Sequence, residues 1–302
     1  MTTTLTGVLN VYKEAGYTSH DVVAIVRRAA RTKKVGHTGT LDPDATGVLP
    51  VCLGRATKLA DALASKDKTY VAEIILGKET TTGDISGEIT KQRPVKFDTA
   101  AIEKVVNSFA RRDEYLQVPP MYSAIKIGGK KLYELARKGE VIDRPARPVT
   151  IHNIHVTSFE PQANAFTIQV TCSKGTYIRS LAVDIGEILG CGATMGKLVR
   201  TQSGIFSIET AVKLDDIKKA AEDGKLADLI MPVDELLPYP KKVISGEILV
   251  WAKNGNPVPI SAALADCPGD SLPGEKFWLC DGEQLIGLYA SDGEKLRPEV
   301  ML

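Results

Sequence analysis

No apolar run in the chain approaches the roughly 20 residues that a membrane-spanning helix requires, so bilayer insertion is not expected. The opening MTTTLTGVLN has no basic region ahead of an apolar stretch. It gives no sign of export, and a cytoplasmic location is expected. Cysteine is scarce and scattered, with five residues at 52, 172, 191, 267 and 280, no Cys-x-x-Cys pair and no histidine at zinc spacing. That argues against a disulfide framework and a zinc ribbon, and leaves reduced thiols. Neither sign of charge is in excess, since 38 Lys and Arg face 37 Asp and Glu for a net +1, which excludes a uniformly basic chain built to coat a polyanion. Internal repeats and low-complexity segments are also missing.

What is present is a 302-residue chain, 43% hydrophobic, able to fill the core of one large domain or of a large domain plus a small one. Its charge is unevenly placed. Residues 1–66 carry nine basic and five acidic groups, residues 124–150 seven and three, and residues 266–302 three and eight. The first two stretches are suited to a polyanion and the last to water, although ordinary solvated faces would look the same.

The stretch most suited to a site is 33–50, KKVGHTGTLDPDATGVLP. Gly36 and Gly39 bracket His37, and Gly47 follows the Asp42-Pro43-Asp44 turn, so the backbone can bend sharply and come close to a ligand. Pro43 pushes Asp42 out of helical geometry, so its carboxylate projects from a stiff loop. The plainer alternative is a turn whose Asp and Thr side chains cap their own backbone.

Around this stretch, 7–12 (GVLNVY) is expected as a buried strand. A helix follows, with Thr18 and Asp21 as its cap and an apolar face opposite Arg27, Arg28 and Arg31. Residues 69–76 (TYVAEIIL) are expected as a strand ending in a turn that contains Asp84, and a second amphipathic helix starts at Thr99. Residues 150–158 and 165–172 pair as antiparallel strands, with His152 and His155 as ordinary strand residues. Thr176 is expected to cap a helix that Gly190 stops. Arg179, in its first turn, sits at the wrong end of the macrodipole for a cation, so if buried it needs an anionic partner, for which Asp42 is a candidate. Residues 196–206 are expected as a strand and 214–227 as a helix. After Pro238-Tyr239-Pro240, the runs 247–251, 276–280 and 284–290 are expected as short strands of a small β module.

In 117–147, prolines, glycines and basic residues crowd together as an exposed insertion. It is either a solvated hairpin and helix or a phosphate-contacting arm with Tyr122 and Tyr133 interleaved for stacking.

The segments GHTGTLDPDATGVLPVCLGRATK, KTYVAEIILG and CSKGTYIRSL closely resemble the three ordered motifs of the TruB-type tRNA pseudouridine synthases, which modify uridine 55 in the TΨC arm. TTTGDISGE, VPPMYSAIKIGGKKLYELARKG and RPVTI are similar to further signatures of that family. The likeness covers residues 5–206, and the module after Pro238 is similar only in kind to the family's PUA-like end. The resemblance implies an α+β pseudouridine-synthase fold, with a central mixed or antiparallel sheet flanked by helices. It further implies a catalytic domain over 1–237, an RNA-binding thumb inserted at about 117–147, and a β-rich PUA-like RNA-binding domain over 238–302.

It implies Asp42 as the catalytic aspartate; Asp44 stands where the pattern is not acidic. His37 would contact RNA, Tyr70 pack on the flipped base, Arg179 pair with the carboxylate, and Tyr177 and Leu198 line the uracil pocket. Lys126, Lys130, Lys131, Arg137 and Arg144 of the thumb would grip phosphates. Isomerisation of uridine needs no redox change, so no cofactor and no metal is expected. The expected partner is tRNA, with no membrane and no obligatory protein partner. A cation beside Asp42 is expected to keep it ionised by lowering its pKa.

Three alternatives remain at this stage. An enzyme of a guide-RNA particle fits less well, because the chain has the free-standing family's thumb and lacks long basic tails. An RNA-binding or tRNA-folding module without turnover would not need Asp42, Tyr70 and Arg179 together. A hydrolase using Asp42 and His37 has only their proximity in its favour.

Overall fold

Apolar, β-branched runs make the frame. The computed structural model describes residues 5–112, 114–140, 142–263 and 272–302. Strands β1 (Gly7–Lys13), β2 (Val35–His37), β3 (Thr46–Leu53), β4 (Lys68–Leu76), β5 (Ile151–Glu160), β6 (Ala165–Cys172) and β7 (Ala193–Ser203) share one sheet, ten-stranded among the described residues. The spatial order is β5-β6-β4-β7-β3-β1, ending on Val212–Lys213. β3 runs parallel to β7 and β1 parallel to Val212–Lys213, while β1 with β3, β4 with β7 and the β5-β6-β4 set are antiparallel, so the sheet is mixed.

Helices α1 (Ser19–Ala29), α2 (Thr99–Ser108), α3 (Leu132–Ala136), α4 (Ile178–Ile188), α5 (Leu214–Glu222) and α6 (Gly246–Lys253) complete the frame. β3 is buried along almost its whole length because both faces are covered, which is why it reads as a continuous apolar run and not as an alternation. Leu49, Val51 and Leu53 pack with Val22, Val26 and Ile217 of α1 and α5. Val48 and Cys52 pack on the opposite face with Leu59, Phe206 and Trp278. The β4, β6 and β7 half of the sheet makes a third cluster with α2 and α4.

Local chemistry sets several boundaries. Thr18 and Asp21 form the reciprocal capping box of α1, and Gly190 follows the end of α4 at φ +79°. Other boundaries differ from expectation. Thr176 does not cap α4; its hydroxyl donates to the Ser173 carbonyl at 2.9 Å, and Tyr177 is the N-cap residue. α5 stops at Glu222, where Gly224 (φ +71°) turns the chain into a short 3-10 segment, Leu226–Leu229. Residues 247–251 are helical, not a strand, because Ile248, Leu249 and Ala252 of α6 pack on Phe277, Leu279 and Tyr289. A short apolar run does not distinguish the two states, and here the sheet beneath it decides.

That sheet contains β8 (Lys241–Val243), β9 (Val258–Pro259), β10 (Lys276–Asp281), β11 (Gln284–Ser291) and β12 (Lys295–Met301), in the order β8-β10-β11-β12-β9. Trp278 of β10 is fully buried in the cluster it shares with β1 and β3, and its indole N–H donates to the Leu237 carbonyl at 2.8 Å.

The insertion rises on a two-stranded stalk, Tyr115–Gln117 with Arg147–Val149, and carries a small hairpin, α3 and its own apolar cluster of Met121, Leu132 and Leu135. Cys52, Cys172, Cys191 and Cys280 are free and buried; Cys267 lies outside the described residues. Among the described residues, no helix is long and apolar enough to cross a membrane.

Candidate active site

Asp42 lies on the loop between β2 and β3. Its carbonyl accepts from the Ala45 amide at 3.1 Å, closing a turn over Pro43-Asp44. Gly47 lets the chain leave that turn, since φ is +104° and an added Cβ would overlap the Arg200 carbonyl.

Arg179, at the second position of α4, meets Asp42 side-on. Nε lies 3.0 Å from Oδ2, and Nη2 donates to Oδ1 at 3.2 Å. The guanidinium also donates to the Thr82 carbonyl at 3.1 Å and to the Tyr122 carbonyl at 2.8 Å. Asp84 is a second carboxylate, with Oδ2 3.6 Å from Nε. Its other oxygen accepts from the Thr82 hydroxyl at 2.7 Å, the Ser86 amide at 3.0 Å and the Ser86 hydroxyl at 2.5 Å. Two anions thus offset a cation whose position in the helix dipole is unfavourable. The Arg179 side chain is 6% exposed and that of Asp42 38%, so the carboxylate is the partner open to a ligand.

Contrary to the expectation from the sequence, the ion pair does not hold the Asp42 pKa below the ordinary carboxylate value. Burial raises it above the ordinary carboxylate value, Arg179 pulls it back, and Asp84 adds to the rise.

Asp42 opens into a cavity of about 1090 Å³ whose lining includes Tyr70, Tyr177, Arg179, Leu198 and Arg200. Tyr70 of β4 is 9% exposed and lies in register with Arg200 of β7. Burial holds its phenol protonated above the usual range. Leu198 follows an irregularity in the β7 register after Met195, where the Lys197 amide donates to Glu73 at 3.1 Å. The Tyr177 backbone is clasped by the Gln117 side chain, whose Oε1 accepts from its N–H at 2.7 Å and whose Nε2 donates to its carbonyl at 3.0 Å.

His37 is half-buried and is not among the residues that line the cavity; its Nδ1 accepts from the Gly39 amide at 3.2 Å, and burial, His20 and Arg200 hold its pKa below the ordinary value. His20, its edge-on neighbour at 5.7 Å, is the imidazole that lines the cavity. In the thumb, Lys131 and Arg137 reach the lining with Tyr133, while Lys126 and Lys130 are exposed on the hairpin outside it. Arg144 turns inward and donates to the Pro119 carbonyl at 3.2 Å.

Residue patterns gave no warning of three groups here, two buried and one half-buried. Lys13 is fully buried at the end of an apolar strand and donates to the Pro43 carbonyl at 2.8 Å, its pKa lowered to about 8 by burial. Arg200 is buried and donates to the Val48 carbonyl at 2.7 Å. Asp84 was visible only as a turn residue. Among the described residues, no group of three or more His, Cys, Asp or Glu side chains is placed to hold a metal ion.

The same residues can be compared with known proteins. The model of the TruB family pseudouridylate synthase N-terminal domain matches residues 27–178, and that of the tRNA pseudouridylate synthase B C-terminal domain matches 179–238. The chain is 48% identical over 269 residues to tRNA pseudouridine synthase B of Bacillus licheniformis, covering 87% of this chain and 84% of that protein. With its namesake from Bacillus velezensis it shares 46% identity over 98% of this chain and 97% of that one. Among solved structures, a chain of a Cbf5-Nop10-Gar1 complex superposes with TM-score 0.71 at 27% identity, covering 99% of this chain and 84% of that one. A chain of an H/ACA RNP bound to a substrate RNA containing 2'-deoxyuridine superposes at 0.70 and 26%, over 98% and 85%. With both family models in sequence order over most of the chain and relatives near half identity, this chain belongs to the TruB family of pseudouridylate synthases.

Proposed function

We propose that this protein isomerises uridine to pseudouridine in tRNA, at position 55 of the TΨC arm, on a flipped-out base and with Asp42 as its essential carboxylate. The observation that carries the proposal is the side-on Asp42–Arg179 pair at the wall of a cavity edged by a basic thumb. In the reaction the N1–C1′ bond breaks, the base rotates, C5 bonds to C1′ and the C5 hydrogen leaves as a proton. Atoms and oxidation state balance without a co-reactant. Asp42, held by Arg179 and exposed on its other side, is the group that meets the ribose or the base. Tyr70 offers a ring face to the extruded uracil, worth about 1 to 3 kcal/mol against an extrusion cost of a few kcal/mol. Leu198 and Tyr177 complete the uracil pocket, and His37 acts through the loop and through its neighbour His20.

The thumb, 117–147, grips phosphates through Lys126, Lys130, Lys131 and Arg137, while Arg144 holds its base. Residues 1–237 are the catalytic domain and 238–302 a PUA-like RNA-binding domain. Neither cofactor nor obligatory protein partner enters this scheme, and the buried free thiols accord with work in the cytoplasm.

The test is release of tritium from tRNA labelled at uracil C5, with EDTA present. Wild type is expected to release one equivalent per tRNA and Asp42→Asn none, with tRNA affinity retained. Turnover by the variant at the wild-type rate would remove Asp42 from the scheme. Binding without release by either protein would favour an RNA-folding module.

A further inference from the structure

Three carbonyls of the loop that carries Asp42 are each held by a side chain from a different element. Arg200 Nη2 of β7 donates to Gly39 at 3.3 Å, Ser19 Oγ of α1 to Leu41 at 3.3 Å, and Lys13 Nζ of β1 to Pro43 at 2.8 Å. Ser19 does more than the other two, because its Oγ also accepts from the Leu41 amide at 2.9 Å. One hydroxyl therefore grips residue 41 on both sides of its Cα, fixing the two dihedrals that aim the next residue, Asp42.

The hydroxyl is not needed by its own helix. A serine at a helix start commonly serves as the cap, yet here Thr18 accepts from the Asp21 amide and Asp21 reaches back to Thr18, so the capping box is complete without Ser19. Ser19 is 2% exposed and points away from solvent. A buried hydroxyl surplus to the cap and reciprocally bonded to the residue before the reactive carboxylate is placed for alignment.

We propose that Ser19 is a positioning residue for Asp42, holding its carboxylate in line with Arg179 and the cavity. This rests on the role given to Asp42 above. Removal of the hydroxyl leaves the Leu41 amide and carbonyl without their partner, and the loop relaxes; misplacement by about 1 Å costs on the order of 100-fold in rate.

The experiment compares Ser19→Ala with Thr18→Ala, which weakens the same helix start without touching the loop. Measured for each are the single-turnover rate of tritium release at saturating tRNA, the tRNA Kd, the melting temperature, and amide exchange across residues 38–45. Ser19→Ala is expected to react about 10- to 100-fold more slowly with unchanged Kd and to lose protection at Leu41. Thr18→Ala is expected to melt lower and react at the wild-type rate. Wild-type single-turnover rate in Ser19→Ala, or an equal slowing in Thr18→Ala, would overturn the proposal. So would an unprotected Leu41 amide in the wild-type protein, a readout that needs no variant to fold. Because exchange does not depend on chemistry, failure of the Ser19 anchor is distinguishable from failure of Asp42, which only the Asp42→Asn rate reports.

Discussion

The thumb and the C-terminal module are both small appendages of the main sheet, but they are attached in opposite ways. The thumb has its own cluster of Met121, Leu132 and Leu135, and beyond the foot of its stalk, where Tyr115 and Val149 are buried in the main core, it is joined to α4 by polar contacts at the site: Arg179 to Tyr122, Gln117 to Tyr177, and Ser180 to the Val118 carbonyl. The module is joined by burial, with Trp278, Cys280 and Leu288 lying in one cluster with Val8, Val48 and Phe206. Their charges differ too, seven basic and three acidic over 124–150 against three and eight over 266–302. A part held by a few polar contacts beside a cavity opens locally at low cost. A part held by a shared core opens only with the core. The thumb's position is therefore tied to the ligand, since the guanidinium that aligns Asp42 also holds the thumb's base, whereas the module's position is tied to global stability.

The largest expected effect lies in the module. Trp278→Ala removes the indole from the shared core and takes one of two donors from the Leu237 carbonyl, which keeps the Tyr239 amide at 2.7 Å, for a loss of about 3 to 5 kcal/mol. Chemical denaturation should show the whole protein unfolding in one transition at lower denaturant. A separate early transition of the module, with the main one unmoved, would break the comparison.

In the thumb, Leu132→Ala makes a cavity of the same kind in an isolated cluster, a local loss of about 2 to 5 kcal/mol. The expected result is faster amide exchange over the thumb and weaker tRNA binding, with the main unfolding midpoint in place. A midpoint shift as large as that of Trp278→Ala would show that the thumb is part of the core after all.

How much of this could be read from the sequence follows the range of each contact. The capping box of α1 spans three residues and was legible as such. The Asp42–Arg179 pair spans 137 residues, and it was reachable because a cation at a helix start demands an anion and because the motifs resemble a known family. Asp84, Lys13, Arg200 and Ser19 escaped because their partners are backbone carbonyls or a shared guanidinium brought together only by the sheet. No residue type or spacing announces an acceptor that is a peptide group. The helix at 246–253 escaped for a related reason, since Ile248, Leu249 and Val250 suit a strand until the sheet beneath them is built. The sign of the Asp42 pKa shift also depends on burial, which the ion pair alone could not convey.

Salt dependence sharpens the contrast with a smaller effect. Lys131→Gln and Arg137→Gln remove cations that line the cavity and have no ion-pair partner among the described residues. If each contacts a phosphate, each should lower the slope of log K against log salt by about 0.7 to 0.9. Lys253 of the module is already paired with Asp281 at 2.7 Å, and Lys253→Gln should leave the slope unchanged. A lower slope for Lys253→Gln would place phosphate on the acidic module.

The smallest effect is an acid response of the module. Asp292 of the module accepts from the Lys295 and Glu294 amides and from Arg297, and these hold its pKa down, from 3.8 to about 2. A depressed carboxylate pKa means that the folded state binds fewer protons than the unfolded one between those two values, so stability rises with pH across that window. The contribution is complete above the unfolded value of 3.8 and is lost as pH falls through about 2. Asp292→Asn should therefore melt below wild type near neutrality, and the two melting temperatures should converge as pH falls through that window. A constant gap between Asp292→Asn and wild type down to the lowest pH would mean that the side chain acts by shape, and that the module owes its acid sensitivity to other groups.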